Sequence, residues 1–282
     1  MKYIFFGTPR FAEIVLAGLL DADLQPVALV CNPDRPVGRK KIITSPPTKV
    51  LAIESSSDID IIQPEKLDEV FIKRLQALEP DFFVVAAYSK ILPQTVLDIP
   101  RLGTLGVHPS LLPKYRGASP IQSAILGGES ETGVTIYKMD AGMDSGPMVT
   151  SDQVAVASTS DYLELEENLA KLGAKLLIET IPKFLDGKII PRAQDNAQAT
   201  FTKKFTTQDG FVAPEDLAGA EQGDAEKAKI ILRKMNALNP EPGAWTMTKD
   251  GKRMKLLEAK IENGQLVLLE TQKEGEKPKK AN

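Results

Sequence analysis

The opening thirty residues constrain this chain more than any other stretch, because they read as strand, helix and strand in immediate succession. Tyr3 to Phe6 is a short apolar strand. Gly7-Thr8-Pro9 offers a turn with Thr8 as N-cap and Pro9 at the first helical position, and Phe11, Ile14, Val15 and Leu19 then share one helical face. The next apolar run, Pro26 to Val30, reads as a second buried strand. Strands joined through a crossover helix lie parallel in one sheet, so the chain is committed early to a layered α/β architecture. The alternation continues with strands at Ile59 to Ile62, Phe82 to Ala87, Thr104 to Val107 and Val134 to Tyr137, separated by helices at 68–77, 94–98 and 119–126. The expectation is a Rossmann-like, mostly parallel sheet with helices on both faces.

A dinucleotide cofactor does not fit that sheet. The first turn reads Gly7-Thr8-Pro9-Arg10-Phe11, where a pyrophosphate site needs G-x-G-x-x-G, and proline and phenylalanine fill places that require bare backbone. NAD and FAD binding are therefore excluded.

With 282 residues, 42% of them apolar, the chain is long enough for two domains. A long amphipathic helix runs from Ser160 to Leu185, with Leu165, Leu169, Leu172 and Leu176 on one stripe and Asp186-Gly187 at its end. This places a first domain at 1–188 and a polar linker at 189–204. After the linker the texture changes to a helix near 225–237 and short strands joined at Asp250-Gly251 and Asn263-Gly264, both hairpin signals. A small β-barrel, OB-like C-terminal domain is expected over 205–272, with room for about three strands after Trp245. The charged tail at 273–282 is expected to be disordered.

One cysteine, Cys31, and one histidine, His108, leave no internal disulfide and almost no ligands for a conventional metal site, so no metal is expected. No apolar run approaches the ~20 residues of a membrane helix, and the N-terminus enters a strand rather than a signal peptide, which points to the cytoplasm. The net charge of −3 gives no global attraction for nucleic acid. Local basic patches remain: Arg35, Arg39, Lys40 and Lys41 near the N-terminus, and Lys249, Lys252, Arg253 and Lys255 near the C-terminus.

The chemistry gathers around the histidine. Gly106-Val107-His108-Pro109-Ser110-Leu111-Leu112-Pro113-Lys114-Tyr115-Arg116-Gly117 places His108 just past the C-terminal end of a strand, the edge where open α/β sheets bind ligands. Met139-Asp140-Ala141-Gly142-Met143-Asp144-Ser145-Gly146 is a glycine-rich turn after another strand, able to bring a carboxylate to the same edge.

These segments, together with Asn32-Pro33-Asp34-Arg35-Pro36-Val37-Gly38-Arg39 and Asn239-Pro240-Glu241-Pro242-Gly243-Ala244-Trp245, resemble the folate-dependent formyltransferases. The last two resemble in particular the methionyl-tRNA formyltransferase branch. The likeness implies that 1–188 is the catalytic domain, that the formyl donor is 10-formyltetrahydrofolate, and that the acceptor is the amino group of initiator methionyl-tRNA, formylated for translation initiation; a monomer is expected. It implies that His108 and Asp144 are catalytic: His108 as a donor to the developing oxyanion, Asp144 to hold His108 protonated or to accept the amine proton. The family has asparagine two places before the histidine, where this chain has Gly106. Losing one oxyanion donor costs ~10² to 10³ in rate, so a backbone N–H of the 106–110 turn, the Ser110 hydroxyl or a water is expected in its place.

By the same resemblance Tyr88, Lys90, Ile91, Leu92 and Met139, with Ser110, Leu111, Leu112 and Pro113, line the folate pocket. Arg35, Arg39, Lys40 and Lys41 contact tRNA, with Arg39 guiding the acceptor end, and Trp245 is a barrel core residue. Two alternatives stay open on sequence: a formyltransferase for a small amine such as an amino sugar nucleotide, and a noncatalytic tRNA- or folate-binding relative, suggested by Gly106.

Overall fold

The computed structural model describes residues 1–38, 40–55 and 58–280. It divides into two compact units: 1–116 with 133–154 and 166–201, and 117–132 with 155–165 and 202–282.

The first unit begins as the opening residues dictate, with β1 (Tyr3–Phe6), α1 (Arg10–Asp21) and β2 (Ala28–Val30). A two-stranded antiparallel ribbon, β3 (Arg35–Val37) and β4 (Ile42–Thr44), follows. Next come α2 (Pro47–Glu54), β5 (Asp60–Ile62), α3 (Glu69–Ala77), β6 (Phe82–Ala86), α4 (Gln94–Leu97), β7 (Thr104–His108) and β8 (Arg116–Gly117). α5 (Pro120–Gly127) belongs to the second unit, and β9 (Glu131–Lys138), β10 (Met148–Ala155), α6 (Tyr162–Leu185) and β11 (Phe201–Thr202) continue the chain. The ribbon, α2 and β10 escape the sequence reading. Ribbon residues Val37, Ile42 and Ile43 are exposed, so its strands carry no alternation of buried and solvated positions to read.

Seven strands form the central sheet in the order β10-β9-β7-β6-β1-β2-β5. β5, β2, β1, β6 and β7 are mutually parallel, and β9 runs antiparallel to β7. Every residue of β1, β6 and β7 is buried, as expected of parallel strands covered on both faces. Leu75 of α3 and Val96 of α4 pack with Ile4, Phe6, Val30 and Phe83 on one side. Tyr3 and Phe82 stack with their ring centroids 5.1 Å apart.

Two local expectations change. Pro9 rather than Thr8 is the N-cap of α1, and the Thr8 hydroxyl instead accepts the Asn32 N–H at 3.1 Å, tying the first turn to the end of β2. His108 is the last residue of β7 rather than the residue beyond it, because it still pairs with Thr135 of β9.

The second unit carries α7 (Pro214–Glu221), α8 (Ala225–Leu238), β12 (Trp245–Met247), β13 (Arg253–Glu262), β14 (Gln265–Lys273) and β15 (Lys279–Lys280). Asp224 caps α8 by accepting the Lys227 N–H, and Asn263-Gly264, both at positive φ, turn β13 into β14. The strands make an antiparallel meander in the order β12-β13-β14-β15, the β-rich C-terminal domain that the hairpin signals announce. Leu217 of α7 and Ile231 and Met235 of α8 share one core with Leu256 and Leu266, so helices bury one apolar face of the sheet. Residues 279 and 280 of the charged tail pair with Thr271 and Glu270 through backbone alone, which needs no apolar side chains and so leaves no trace in composition.

Candidate active site

Register builds the site. β7 and β9 pair so that Gly106 lies opposite Tyr137, Val107 opposite Ile136 and His108 opposite Thr135. Directly opposed side chains in an antiparallel pair are neighbours on one face, and the Tyr137 ring takes the space that glycine leaves at 106. A Cβ placed on Gly106 would lie 2.4 Å from Cε1 of Tyr137 and 3.0 Å from its hydroxyl.

His108 is 6% exposed. Its Nε2 lies 2.8 Å from the Tyr115 carbonyl oxygen and its Nδ1 lies 3.6 Å from Oδ2 of Asp144. The ring thus lies between a carbonyl oxygen at hydrogen-bond distance on one side and the Asp144 carboxylate on the other. The other carboxylate oxygen, Oδ1, accepts a hydrogen bond from the Tyr137 hydroxyl at 2.7 Å. Burial, and then the Asp144 charge beside it, push the Tyr137 phenol well above its ordinary pKa. The His108 and Tyr137 rings meet edge to face, 6.5 Å apart.

Asp144 occupies the left-handed region at φ 49°, and its loop is held from two sides. Gly146 presses against β9 so closely that a Cβ there would sit 1.9 Å from the Lys138 carbonyl oxygen. Gln194 donates through Nε2 to the carbonyls of Asp144 (2.8 Å) and Gly146 (2.7 Å), and its Oε1 accepts from the buried Arg116 guanidinium at 2.6 and 3.1 Å. A buried polar network with its bonds made fixes one geometry.

The structure therefore brings Gly106, His108 and Asp144 together. Ser110 is fully buried, but its hydroxyl donates to the Lys114 carbonyl at 2.6 Å and its N–H to the His108 carbonyl at 2.9 Å. Neither group is spare, which removes both as replacements for the family's asparagine. Leu112 is buried, its N–H donating to Thr135 Oγ1 at 3.0 Å, while Leu111 and Pro113 are half-buried.

Tyr88, just past the end of the adjacent strand β6, packs on the core that holds Leu92, as does Met139, which follows β9 and whose N–H donates to the Thr104 carbonyl at the start of β7. The Tyr88 hydroxyl is buried with no hydrogen-bond partner, as is Oδ1 of Asn32, and burial pushes the Tyr88 phenol up to about 12. Two residues of this group point elsewhere. Ile91 is 86% exposed, and Lys90 spends its ammonium on the backbone carbonyls of Pro64 and Glu65.

Arg35, Lys40 and Lys41 lie exposed on and beside the β3–β4 ribbon, and Arg39 falls outside the described residues. Arg35 pairs with Glu65 at 2.5 Å. At the ribbon's root, Asp34 accepts from Gln63, Lys49 and Ser45 at 2.8–3.0 Å, and these bonds, Gln63 and Lys49 first, hold its carboxyl down at about 2. In the second unit Trp245 is half-buried rather than fully internal. Its ring lies between Phe211 at 4.8 Å and the Arg253 guanidinium at 4.3 Å, so Arg253 is not a free member of the C-terminal basic patch.

Three residues of the site escape the sequence reading: Tyr137, Gln194 and Arg116. Tyr137 reads as one more apolar strand position, and the signal that identifies it is the glycine opposite, visible only once β7 and β9 are known to pair.

No group of three or more His, Cys, Asp or Glu placed to hold a metal occurs among the described residues, and no helix among them is long and apolar enough to cross a membrane. A buried imidazole and a carboxylate joined at the carboxyl edge of an open α/β sheet, beside a pocket wall with unspent polar atoms, make a site for moving protons on a bound substrate. The sequence matches the formyl transferase family over residues 1–181 and the C-terminal domain of formyl transferases over 225–278. The chain belongs to the formyl transferase family and is a one-carbon group transferase.

Among its relatives, the methionyl-tRNA formyltransferase of Chloroflexus aurantiacus is 39% identical over 263 residues, covering 93% of this chain and 80% of that one. The fold is shared with the solved methionyl-tRNA formyltransferase from Clostridium thermocellum, with a TM-score of 0.63 and 17% identity over 97% and 98% of the two chains. It is shared equally with WlaRD, a sugar 3N-formyl transferase solved with dTDP and 5-N-formyl-THF, with a TM-score of 0.64 and 16% identity over 93% and 87%.

Proposed function

We propose that this enzyme transfers the formyl group of 10-formyltetrahydrofolate to the amino group of initiator methionyl-tRNA, as a monomer in the cytoplasm. The observation that carries the reading is the 39% identity along 93% of the chain to a methionyl-tRNA formyltransferase. The His108–Asp144 pair supports it, since that site is assembled within one chain.

The wall at the end of β6 suits a flat, partly polar ring. Tyr88 and Leu92 supply apolar surface, and the unpartnered Tyr88 hydroxyl and Asn32 Oδ1 supply polar atoms that a ring edge can satisfy. The donor brings an activated formyl carbon; the chain's own groups do the rest. Asp144 takes a proton from the attacking amine and passes it towards N10 of the departing carrier. His108, with its Nε2 committed to the Tyr115 carbonyl, contributes positive charge near the formyl oxygen rather than a direct hydrogen bond. Lys40 and Lys41, with Arg39 beside them in sequence, supply phosphate contacts that position the tRNA without reading its sequence.

The test offers 10-formyltetrahydrofolate with methionyl-tRNA, a glycinamide nucleotide and an amino sugar nucleotide in parallel. Formylmethionine released from the tRNA is the expected product. Formylation of a small amine alone overturns the tRNA acceptor, and no transfer to any acceptor overturns the enzyme.

A further inference from the structure

The family's asparagine is missing at Gly106, and the structure shows what stands there instead. The Tyr137 ring fills the volume of a side chain at 106, and its hydroxyl lies 3.0 Å from where that Cβ would be, within the sweep of a carboxamide attached to it. The hydroxyl also touches Asp144. The neighbouring donors are already engaged: the Ser110 hydroxyl with Lys114, the Ser110 N–H with the His108 carbonyl, and Nε2 of His108 with Tyr115.

We propose that Tyr137 is a catalytic residue, its phenol serving as the hydrogen-bond donor to the formyl oxygen in place of the family's asparagine side chain. The inference rests on the formyl-transfer reading above. A phenol has one hydrogen, which at rest goes to Oδ1 of Asp144. As the amine nitrogen bonds to the formyl carbon, negative charge collects on the formyl oxygen and the amine proton moves to Asp144. The neutralised carboxyl then competes poorly for the phenol hydrogen, and the O–H turns to the oxygen that now carries the charge. When the carbon–N10 bond breaks, the proton on Asp144 passes to N10 and the phenol returns to the carboxylate. No proton is gained or lost by Tyr137. Its burial beside a carboxylate suits this role, since a phenol held well above its ordinary pKa remains a donor throughout.

The test is Tyr137→Phe, which keeps the ring over Gly106 and removes only the hydroxyl. Expected is a fall in kcat of ~10² or more, with KM for both substrates, binding of the unreactive 5-formyl carrier and the thermal midpoint nearly unchanged. If Tyr137 only steadied Asp144, the acid limb of the kcat–pH profile would move while the plateau stayed at its wild-type height; a lost donor lowers the plateau whether or not the limb moves. A second pair of variants asks for rescue. Tyr137→Ala clears the space, and adding Gly106→Asn to it should recover at least about tenfold in kcat by restoring an amide donor. Wild-type kcat in Tyr137→Phe, a shifted limb without a lowered plateau, or no rescue by asparagine overturns the proposal while leaving formyl transfer standing. A wild-type protein that formylates no acceptor overturns both.

Discussion

The β7–β9 seam and the β3–β4 ribbon both carry residues assigned to the reaction, yet they are held in opposite ways. At the seam, His108 is 6% exposed, and its partners are fixed by strand register, by the close approach of Gly146 and by the Gln194–Arg116 bonds. On the ribbon, Arg35, Lys40 and Lys41 stand in solvent, and among the described residues the dense bonding is at the root, around Asp34. The seam is over-determined and the ribbon is anchored at one end. The difference suits the roles proposed for them, since chemistry depends on ångström placement and phosphate contacts depend mainly on charge.

The largest effect is therefore expected at the seam. His108→Ala should lower kcat by roughly 10³-fold or more, the combined scale of lost proton handling and charge stabilisation. Single-turnover formylation with saturating carrier measures it, and turnover within tenfold of the wild type would break the assignment of His108.

Next comes Gly106→Asn in the otherwise unaltered chain. A side chain at 106 meets the Tyr137 ring 2.4 Å away, so the variant should lose about 1–3 kcal/mol of stability through overpacking and most of its activity besides. Thermal unfolding and kcat together check it. An asparagine here that leaves both unchanged would mean that Tyr137 yields easily, and that the seam is less rigid than its bonds indicate.

The seam also marks the limit of what the sequence makes legible. β1, α1 and β2 could be read because an apolar run, a Gly-Pro turn and a helical stripe are each local. His108 could be singled out because a lone imidazole stands at a strand end beside a Pro-rich, Gly-bounded loop, whereas Asp144 reads locally as a turn aspartate and is singled out only by the family resemblance. Tyr137 could not, because its role comes from a partner 31 residues earlier in an antiparallel pairing that no local pattern announces. Gln194 and Arg116 reach the Asp144 loop through the chain's three-dimensional path alone, 50 and 28 residues away in sequence. The C-terminal domain is legible only as strands for a related reason: hairpin turns announce strands, but which elements cover their apolar face, here α7 and α8, is decided by packing.

A smaller effect is expected from cutting the ribbon's anchor. Asp34→Ala removes the acceptor shared by Gln63, Lys49 and Ser45, so the ribbon should lose its fixed approach angle, and KM for tRNA should rise several-fold while carrier binding stays level. The sign with pH follows from the lowered carboxyl. Its folded value of about 2 lies below the ordinary carboxylate value, so the anchoring is fully present above ~4 and is lost as pH falls through about 2. Protection of the ribbon amides, taken relative to their intrinsic exchange rates, should therefore be level between pH 4 and 7 in the wild type and lower throughout in Asp34→Ala. Equal protection in the two proteins would show that the root is not what holds the ribbon.

The smallest effects distinguish charges within the ribbon itself. Each Lys40 or Lys41 contact with a phosphate releases a bound counterion, so Lys40→Ala should flatten the dependence of log affinity on log salt by about 0.7–0.9. Arg35 differs because Glu65 already holds its guanidinium at 2.5 Å. Binding a phosphate there means displacing a carboxylate that belongs to the protein, and the freed Glu65 then repels the same backbone. Arg35→Ala should accordingly change the slope by less than half as much as Lys40→Ala, and Glu65→Gln should strengthen tRNA binding by liberating Arg35. Titrations of labelled tRNA at four salt concentrations resolve the ordering. If Arg35→Ala flattens the slope as much as Lys40→Ala does, the ion pair opens at no cost and the ribbon presents a uniform cationic edge; if Glu65→Gln weakens binding instead, the pair is what shapes the ribbon for its partner.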